Sequence, residues 1–174
     1  MRRFCCYTKK PTQFFNIFSE SSQNINIPYR IDFTDLKYND TIPFIPPIEK
    51  GKVIKVYDGD TITIASPLPY HNSPIYRFSV RLNGIDCPEI TSKIDSEKQC
   101  ANIAKAEMES LVMGKMIYLQ NIKIEKYGRI LADVYVDNIK VNDVMVNKRL
   151  AVVYDGGTKK SPKCWMEYYI KGSL

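Results

Sequence analysis

The stretch VYDGDTITI, residues 56–64, places two β-branched apolar runs on either side of a turn that carries two carboxylates. The apolar residues of these runs recur at alternate positions: Ile54, Val56, Ile62 and Ile64. Such alternation predicts two β-strands with one buried face. Asp58 and Gly59 are typical turn residues, so the stretch predicts a hairpin. Asp60 has the parity of the buried residues, and we expect it at the interior or the rim of the fold.

Further strand and helix patterns follow along the chain. Besides strands at 52–57 and 61–66, the sequence predicts strands at 76–85, 116–124 and 129–137 and helices at 96–114, 142–149 and about 161–170. Ser96 and Gln99 predict a capping box for the first helix, and Ser161–Pro162 predict the start of the third. The class predicted is α+β and mainly β, a five-stranded OB-type barrel with about three helices packed around it.

The amino-terminal part differs from the rest in composition. Residues 1–48 are rich in Asn, Ser, Pro and aromatic residues and end in a proline-rich run that opposes both helix and central strand. We therefore predict a partly disordered extension and linker at 1–48 and one folded domain at 49–174.

Composition limits the possible chemistry. The chain has 174 residues, five cysteines without a C-x-x-C pair, and a single histidine, His71. This argues against a disulfide framework and leaves little for a zinc site, so a metal would be a hard cation held by oxygens. The sequence shows no secretory apolar stretch and no membrane span, which predicts an intracellular protein.

The net charge of +6 favours nucleic acid or an anionic membrane as a partner, although many soluble proteins carry as much. Acylation of Cys5 and Cys6 beside Arg2 and Arg3 would anchor the chain to a membrane. Position 2 lacks the glycine that myristoylation needs, so two ordinary reduced cysteines in a tail are the favoured interpretation. DNA and RNA are the expected partners, without an organic cofactor, and the chain is expected to be a monomer.

Polar residues stand close to the predicted strand ends. A buried Asp60 needs a cation beside it, because an unpaired buried carboxylate is costly. Arg81 lies on the polar face of the third strand, and the segment NGIDCPEI that follows offers Asp86 and Glu89. Each feature alone also has an ordinary explanation as a turn, a helix approach or a solvated arginine.

Taken together, three segments resemble one known family. VYDGDTITI, VRLNGIDCPEI and EKYGRILADVYV occur in the order of the staphylococcal nuclease motifs D-G-D-T, R-L-x-x-I-D-T-P-E and K-Y-G-R. The resemblance covers about residues 51–170. It implies a Ca²⁺-dependent hydrolase, an endonuclease that cleaves phosphodiester bonds of DNA and RNA on an OB-fold.

The resemblance also implies a metal site. Asp60 and Asp86 would be the carboxylate ligands of Ca²⁺, and Cys87, where the family usually has threonine, would contribute its backbone carbonyl. That role survives the substitution because the carbonyl belongs to the backbone. Asp58 is interpreted mainly as a turn residue.

The remaining site residues follow from the same motifs. Glu89 would orient or deprotonate the attacking water, and Arg81 and Arg129 would hold the phosphate and offset its developing charge. Tyr127, and more loosely Tyr154, would lie beside the nucleotide. The alternative is a non-catalytic OB-fold module that binds nucleic acid or protein. The presence of all five charged positions favours the enzyme.

Overall fold

A computed structural model of the protein describes residues 33–158 and 161–172. It divides the chain between Thr41 and Ile42. The described residues before this division contain one short, exposed 3₁₀ turn, Tyr38–Asp40. The membrane hypothesis for Cys5 and Cys6 lies outside the described residues, and the domain boundary at 48/49 stays a prediction.

The part from Ile42 onward is a closed, mainly β barrel. Its strands are β1 Lys50–Val56, β2 Thr61–Pro67, β3 Ile75–Leu82, β4 Ile85–Asp86, β5 Met116–Ile124, β6 Ile130–Val136, β7 Ile139–Lys140 and β8 Val152–Val153. Five strands pair in the order β3-β2-β1-β5-β6, and a parallel pairing of β3 with β6 closes the barrel. This confirms the predicted five-stranded barrel of OB type.

Three helices accompany the barrel: α1 Asp95–Val112, α2 Val141–Asn147 and α3 Trp165–Lys171. None of the helices in the described ranges has both the length and the apolar character needed to cross a membrane. The two shortest strands that lie apart from the barrel, β4 and β8, pair with each other. That pairing joins the chain just after β3 to the chain just after α2.

The core lies inside the barrel, where alternate residues of the strands meet. Val53, Ile62, Ile64, Val80 and Leu82 are fully buried. The predicted core position of Ile54 is wrong, since this residue is 43% exposed. A β-bulge between Val53 and Lys55 inserts Ile54 as an extra residue, so the alternation changes phase in the middle of β1.

Gly59 in the β1–β2 turn is required by packing. It is buried, and its φ is not in the left-handed region. A Cβ at this position would come within 2.9 Å of both the Ala104 Cβ of α1 and the Cys87 Sγ. The turn therefore carries glycine because α1 and the segment after β4 approach its backbone closely.

Gly59→Ala is expected to lower the free energy of unfolding by about 1–3 kcal/mol, because the new methyl group overpacks a rigid contact. Urea denaturation measures this change. Gly157→Ala is the matched control, since a Cβ there meets only the Asp155 side chain, and it should change stability by less than about 0.5 kcal/mol. Equal effects of the two substitutions would contradict the packing explanation.

One predicted helix cap and one predicted helix start are wrong. Helix α1 begins at Asp95 after Ile94, without a side-chain cap, so the Ser96–Gln99 capping box does not form. Helix α3 begins at Trp165 after Cys164, and Ser161–Pro162 precede it. Before α1, the Ser92 hydroxyl accepts a hydrogen bond from the Ile94 amide.

Candidate active site

Asp60 lies buried at the start of β2, as its parity predicts. Only 2% of the residue is exposed. Its Oδ1 accepts hydrogen bonds from the Thr61 hydroxyl at 2.9 Å and from Arg81 Nη1 at 2.6 Å, and its Oδ2 accepts one from the Cys87 amide at 3.1 Å. The Asp60 amide donates to Asp58 Oδ1, which confirms that Asp58 is a turn residue. The buried carboxylate thus has the cationic neighbour that its burial requires.

Arg81 joins two buried carboxylates. While its Nη1 binds Asp60, its Nη2 donates to Asp86 Oδ1 at 2.9 Å. Asp86 is also only 2% exposed, and β4 holds it in place by pairing with Val152 of β8. The Arg81 side chain keeps 14% of its surface exposed, whereas both carboxylates are almost completely buried.

The charges in this cluster do not balance. Burial raises the pKa of Asp60 to about 7; Arg81 opposes the rise, and Asp58 adds to it. Burial acts to lower the pKa of the Arg81 guanidinium, but Asp60 and Asp86 raise it above its ordinary value. Three aspartates, Asp58, Asp60 and Asp86, therefore lie close enough to one arginine to affect its pKa.

Cys87 contributes its backbone to the cluster and packs its side chain inward. The residue is 4% exposed, and its Sγ lies against the backbone of Gly59. Burial, together with the nearby carboxylates, raises the pKa of the Cys87 thiol well above its usual range. Cys87 thus offers its backbone to the cluster, while its side chain belongs to the packing around Gly59.

Glu89 stands on the exposed segment after β4. Its backbone amide donates to Glu97 Oε1 at 3.3 Å, and the Ser92 hydroxyl donates to Glu97 Oε2 at 2.7 Å. The carboxylate of Glu97, in the first turn of α1, thus fixes both ends of the segment that carries Glu89. Sequence analysis missed Glu97, because a helix residue eight positions away gives no motif signal.

Arg129 lies just before β6, the strand that pairs in parallel with β3. Leu131 is the register partner of Arg81, so Arg129 precedes that partner by two residues and has the same outward parity. Its Nε binds the carboxylate of Glu125 across the turn between β5 and β6. Glu125 was also missed from sequence, although it begins the EKYGR motif.

The two tyrosines occupy separate loops. Tyr127 is 73% exposed at the tip of the β5–β6 turn, with Lys126 Nζ 4.9 Å from the centre of its ring. The Tyr154 hydroxyl donates to the Gly157 carbonyl within its own loop, and the Tyr154 amide donates to Gly84. The structure thus puts Tyr154 beside the β3–β4 turn, whereas Tyr127 stands at the exposed tip of the turn between β5 and β6.

Protein side chains alone do not make a metal cage here. Within residues 33–158 and 161–172, no group of three or more His, Cys, Asp or Glu side chains is arranged to hold a metal ion. The donors at the cluster are two carboxylates and the backbone. A cation at this place would complete its coordination with carbonyl oxygen and water, as Ca²⁺ does.

Known proteins match this barrel and its site segments. A family model described as "Staphylococcal nuclease homologue" matches residues 79–168, more than half of the chain. The match includes Arg81, Asp86, Glu89 and Arg129, whereas Asp60 precedes it. Fold and site together define a class of protein: an OB-type barrel with an arginine between two buried carboxylates. The chain belongs to the staphylococcal nuclease family.

Individual relatives match this chain over part of their length. An "Uncharacterized endonuclease" of Escherichia coli is 35% identical over 106 residues, which are 60% of this chain and 61% of that protein. "Staphylococcal-like nuclease CAN1" of Arabidopsis thaliana is 37% identical over 82 residues, which are 45% of this chain and 24% of that protein. The chain thus spans about three fifths of the Escherichia coli relative that it matches.

Proposed function

We propose that the protein is a Ca²⁺-dependent nuclease that hydrolyses phosphodiester bonds of DNA and RNA. The observation that carries the proposal is Arg81, whose guanidinium bridges the buried carboxylates of Asp60 and Asp86 at the edge of the barrel. Family membership and the similarity to two relatives named as nucleases support the same chemistry.

The donors at the cluster fit Ca²⁺. Carboxylate and carbonyl oxygens are its preferred ligands, and the excess of negative charge around Arg81 favours a divalent cation. Asp60, Asp86 and the backbone carbonyl of Cys87 would hold the ion, with water completing the shell. The bound ion would place positive charge beside the phosphate and promote ionisation of a nearby water.

Arg81 would hold the scissile phosphate without leaving the carboxylates. A guanidinium has five N–H groups, and the described contacts of Arg81 with Asp60 and Asp86 use two of them. The others remain to donate to phosphate oxygens, whose charge increases in the transition state. Arg129 would act in the same way through its terminal nitrogens, because Glu125 binds it at Nε.

Glu89 would orient or deprotonate the attacking water. It stands on an exposed segment three residues after Asp86, and Glu97 fixes the backbone of that segment. A carboxylate on this segment would serve as the base for the attacking water. Tyr127 and Tyr154, on loops at the ends of strands, would contact the nucleotide.

Cleavage assays test this proposal directly. Single-stranded DNA, double-stranded DNA and RNA are each incubated with Ca²⁺, Mg²⁺ or Mn²⁺. We expect cleavage of single-stranded DNA and of RNA with Ca²⁺ and loss of cleavage on addition of a calcium chelator, because Asp60 and Asp86 would then lose the ion they share. Cleavage that persists in the chelator would contradict the role of the metal.

The alternative function is a non-catalytic module for nucleic acid or protein. Its observable signature is binding of DNA by the purified protein with no cleavage in any of the three cations. The observation against it is that Arg81 holds both carboxylates in one cluster, an arrangement that mere binding of nucleic acid does not need.

A further inference from the structure

Strands β1, β2 and β3 are unusual in charge. Their sequences, KGKVIKV, TITIASP and IYRFSVRL, contain no Asp or Glu. Five of their residues are basic: Lys50, Lys52, Lys55, Arg77 and Arg81. These three strands are neighbours in the barrel, so the charge is concentrated on one sheet.

The bulge in β1 brings two of these lysines to the same face. Lys52 pairs with Ala65, and Lys55 pairs with Thr63, so both lysines oppose outward residues of β2. In a regular strand, residues three apart point to opposite faces. The extra residue Ile54 cancels that difference, and both lysines are exposed.

The register continues the face across β3. Ala65 pairs with Arg77, and Thr63 pairs with Ser79, so Lys52 and Arg77 lie on either side of Ala65. Thr63 and Ser79 place hydroxyl groups between the charges. We call the set Lys52, Lys55, Thr63, Arg77 and Ser79 the basic face.

The cations of the basic face make no ion pair with a described carboxylate. Lys105, Lys148 and Lys171, by contrast, pair with glutamates on the helices. Arg77 and Ser79 are exposed, and Thr63 is half-buried. Positive charges that are not neutralised, separated on a sheet surface by small side chains, attract an extended polyanion.

The basic face leads directly to the candidate active site. Arg77 and Arg81 stand on β3 with the same parity, four residues or about 13 Å apart. Thr61, the register partner of Arg81, follows Asp60. A strand whose phosphate is held by Arg81 would therefore meet Ser79 and Arg77 next along β3.

We propose that the basic face binds the sugar-phosphate backbone of the nucleic acid strand whose scissile phosphate lies at Arg81. This inference rests on the proposed function, since it extends the same substrate beyond the cleavage site. Cationic side chains and hydroxyl groups are the usual donors to phosphates. The basic face continues along β3 to Arg81, as a path for an extended strand would. This favours nucleic acid over an anionic membrane, because a membrane would not need charges aligned with the active site.

The test is the salt dependence of binding. A fluorescent oligothymidylate of about twelve nucleotides, long enough to extend past Arg77, is titrated with full-length protein in a chelator, where no turnover is required. The triple variant Lys52→Gln, Lys55→Gln, Arg77→Gln should bind about tenfold more weakly at low salt. The slope of log K against log salt should become shallower by about 2, because each lost phosphate contact contributes about 0.7.

Two further variants separate charge on this face from net charge and from misfolding. Lys98→Gln, Lys105→Gln, Lys171→Gln removes the same charge from α1 and α3 and should keep the wild-type slope. A charge-conserving variant, Lys52→Arg, Lys55→Arg, Arg77→Lys, should also keep it. Thermal unfolding checks that all three proteins fold.

The outcomes are distinct from those of the cleavage assay. Equal slopes for the two glutamine variants would overturn the basic face as a binding surface, even if the wild type cleaves DNA. The basic face would also be overturned as a nucleic acid site, in favour of a membrane, if the Lys52→Gln, Lys55→Gln, Arg77→Gln variant lost binding to phosphatidylserine vesicles but still bound the oligonucleotide like the wild type. Absence of cleavage by the wild type would instead refute the nuclease proposal, while the titration in chelator still tests the face.

Discussion

Glu89→Gln is expected to lower kcat for DNA hydrolysis by roughly 10²–10⁴-fold, the usual contribution of a positioned general base. Glutamine has nearly the same shape but cannot accept the proton of the attacking water. Because Glu89 is exposed and its backbone amide bonds to Glu97, the fold and that hydrogen bond should survive the substitution. Steady-state kinetics with Ca²⁺, together with thermal unfolding, measure both quantities.

Glu109→Gln is the matched control, since it makes the same chemical change on α1 at a residue that pairs with Lys105. It should leave kcat within about twofold, as expected for a surface change away from the site. A decrease of less than about tenfold in Glu89→Gln would mean that Glu89 orients the water without accepting its proton. Unchanged KM in the variant would show that substrate binding does not depend on this carboxylate.

Much of the cluster follows from sequence because it depends on local alternation. Parity along TITIAS predicts that Asp60 is buried, and the cost of burying a carboxylate predicts a cation beside it. The structure confirms both expectations, with Arg81 as the cation. The barrel is predictable for the same reason, since long alternating runs constrain which face each residue presents.

Other features depend on contacts that no local pattern encodes. The pairing of β4 with β8 joins residues far apart in sequence, and each strand has only two residues, too few for periodicity. The bulge at Ile54 changes phase within a run that alternates well on paper. At the start of α1, the Ser92 hydroxyl accepts from the Ile94 amide and donates to the Glu97 carboxylate, and these hydrogen bonds take the place of the predicted capping box at Ser96. The first two features depend on pairing with a partner strand, whereas the contacts before α1 are local but belong to no known capping motif.

Gly59 shows how a correct prediction can have a different cause. Sequence analysis placed it in a turn because glycine favours turns, and the turn is there. Its backbone conformation does not need glycine, whereas the approach of Ala104 and Cys87 does. The DGD segment therefore combines a turn at Asp58, a packing contact at Gly59 and a buried charge at Asp60.

Arg81→Lys is expected to lower kcat/KM by about 10²–10³-fold, comparable to loss of one preorganised donor to the transition state. Lysine keeps the positive charge but has one nitrogen. It cannot donate to Asp60, Asp86 and a phosphate with the geometry of a guanidinium fork. Kinetics with Ca²⁺ measure the loss, and Arg149→Lys, at a guanidinium that donates to the Ile170 carbonyl, is the control.

Arg81→Met separates the structural role of the arginine from its chemical role. Without any cation between them, the buried carboxylates of Asp60 and Asp86 should destabilise the protein by about 3–5 kcal/mol in a chelator. If Ca²⁺ binds between the same carboxylates, it should raise the unfolding temperature of this variant more than that of the wild type, because it replaces the missing charge. Equal shifts in the two proteins would show that the ion binds elsewhere, and the carboxylate cluster around Arg81 would then have to be interpreted without a metal.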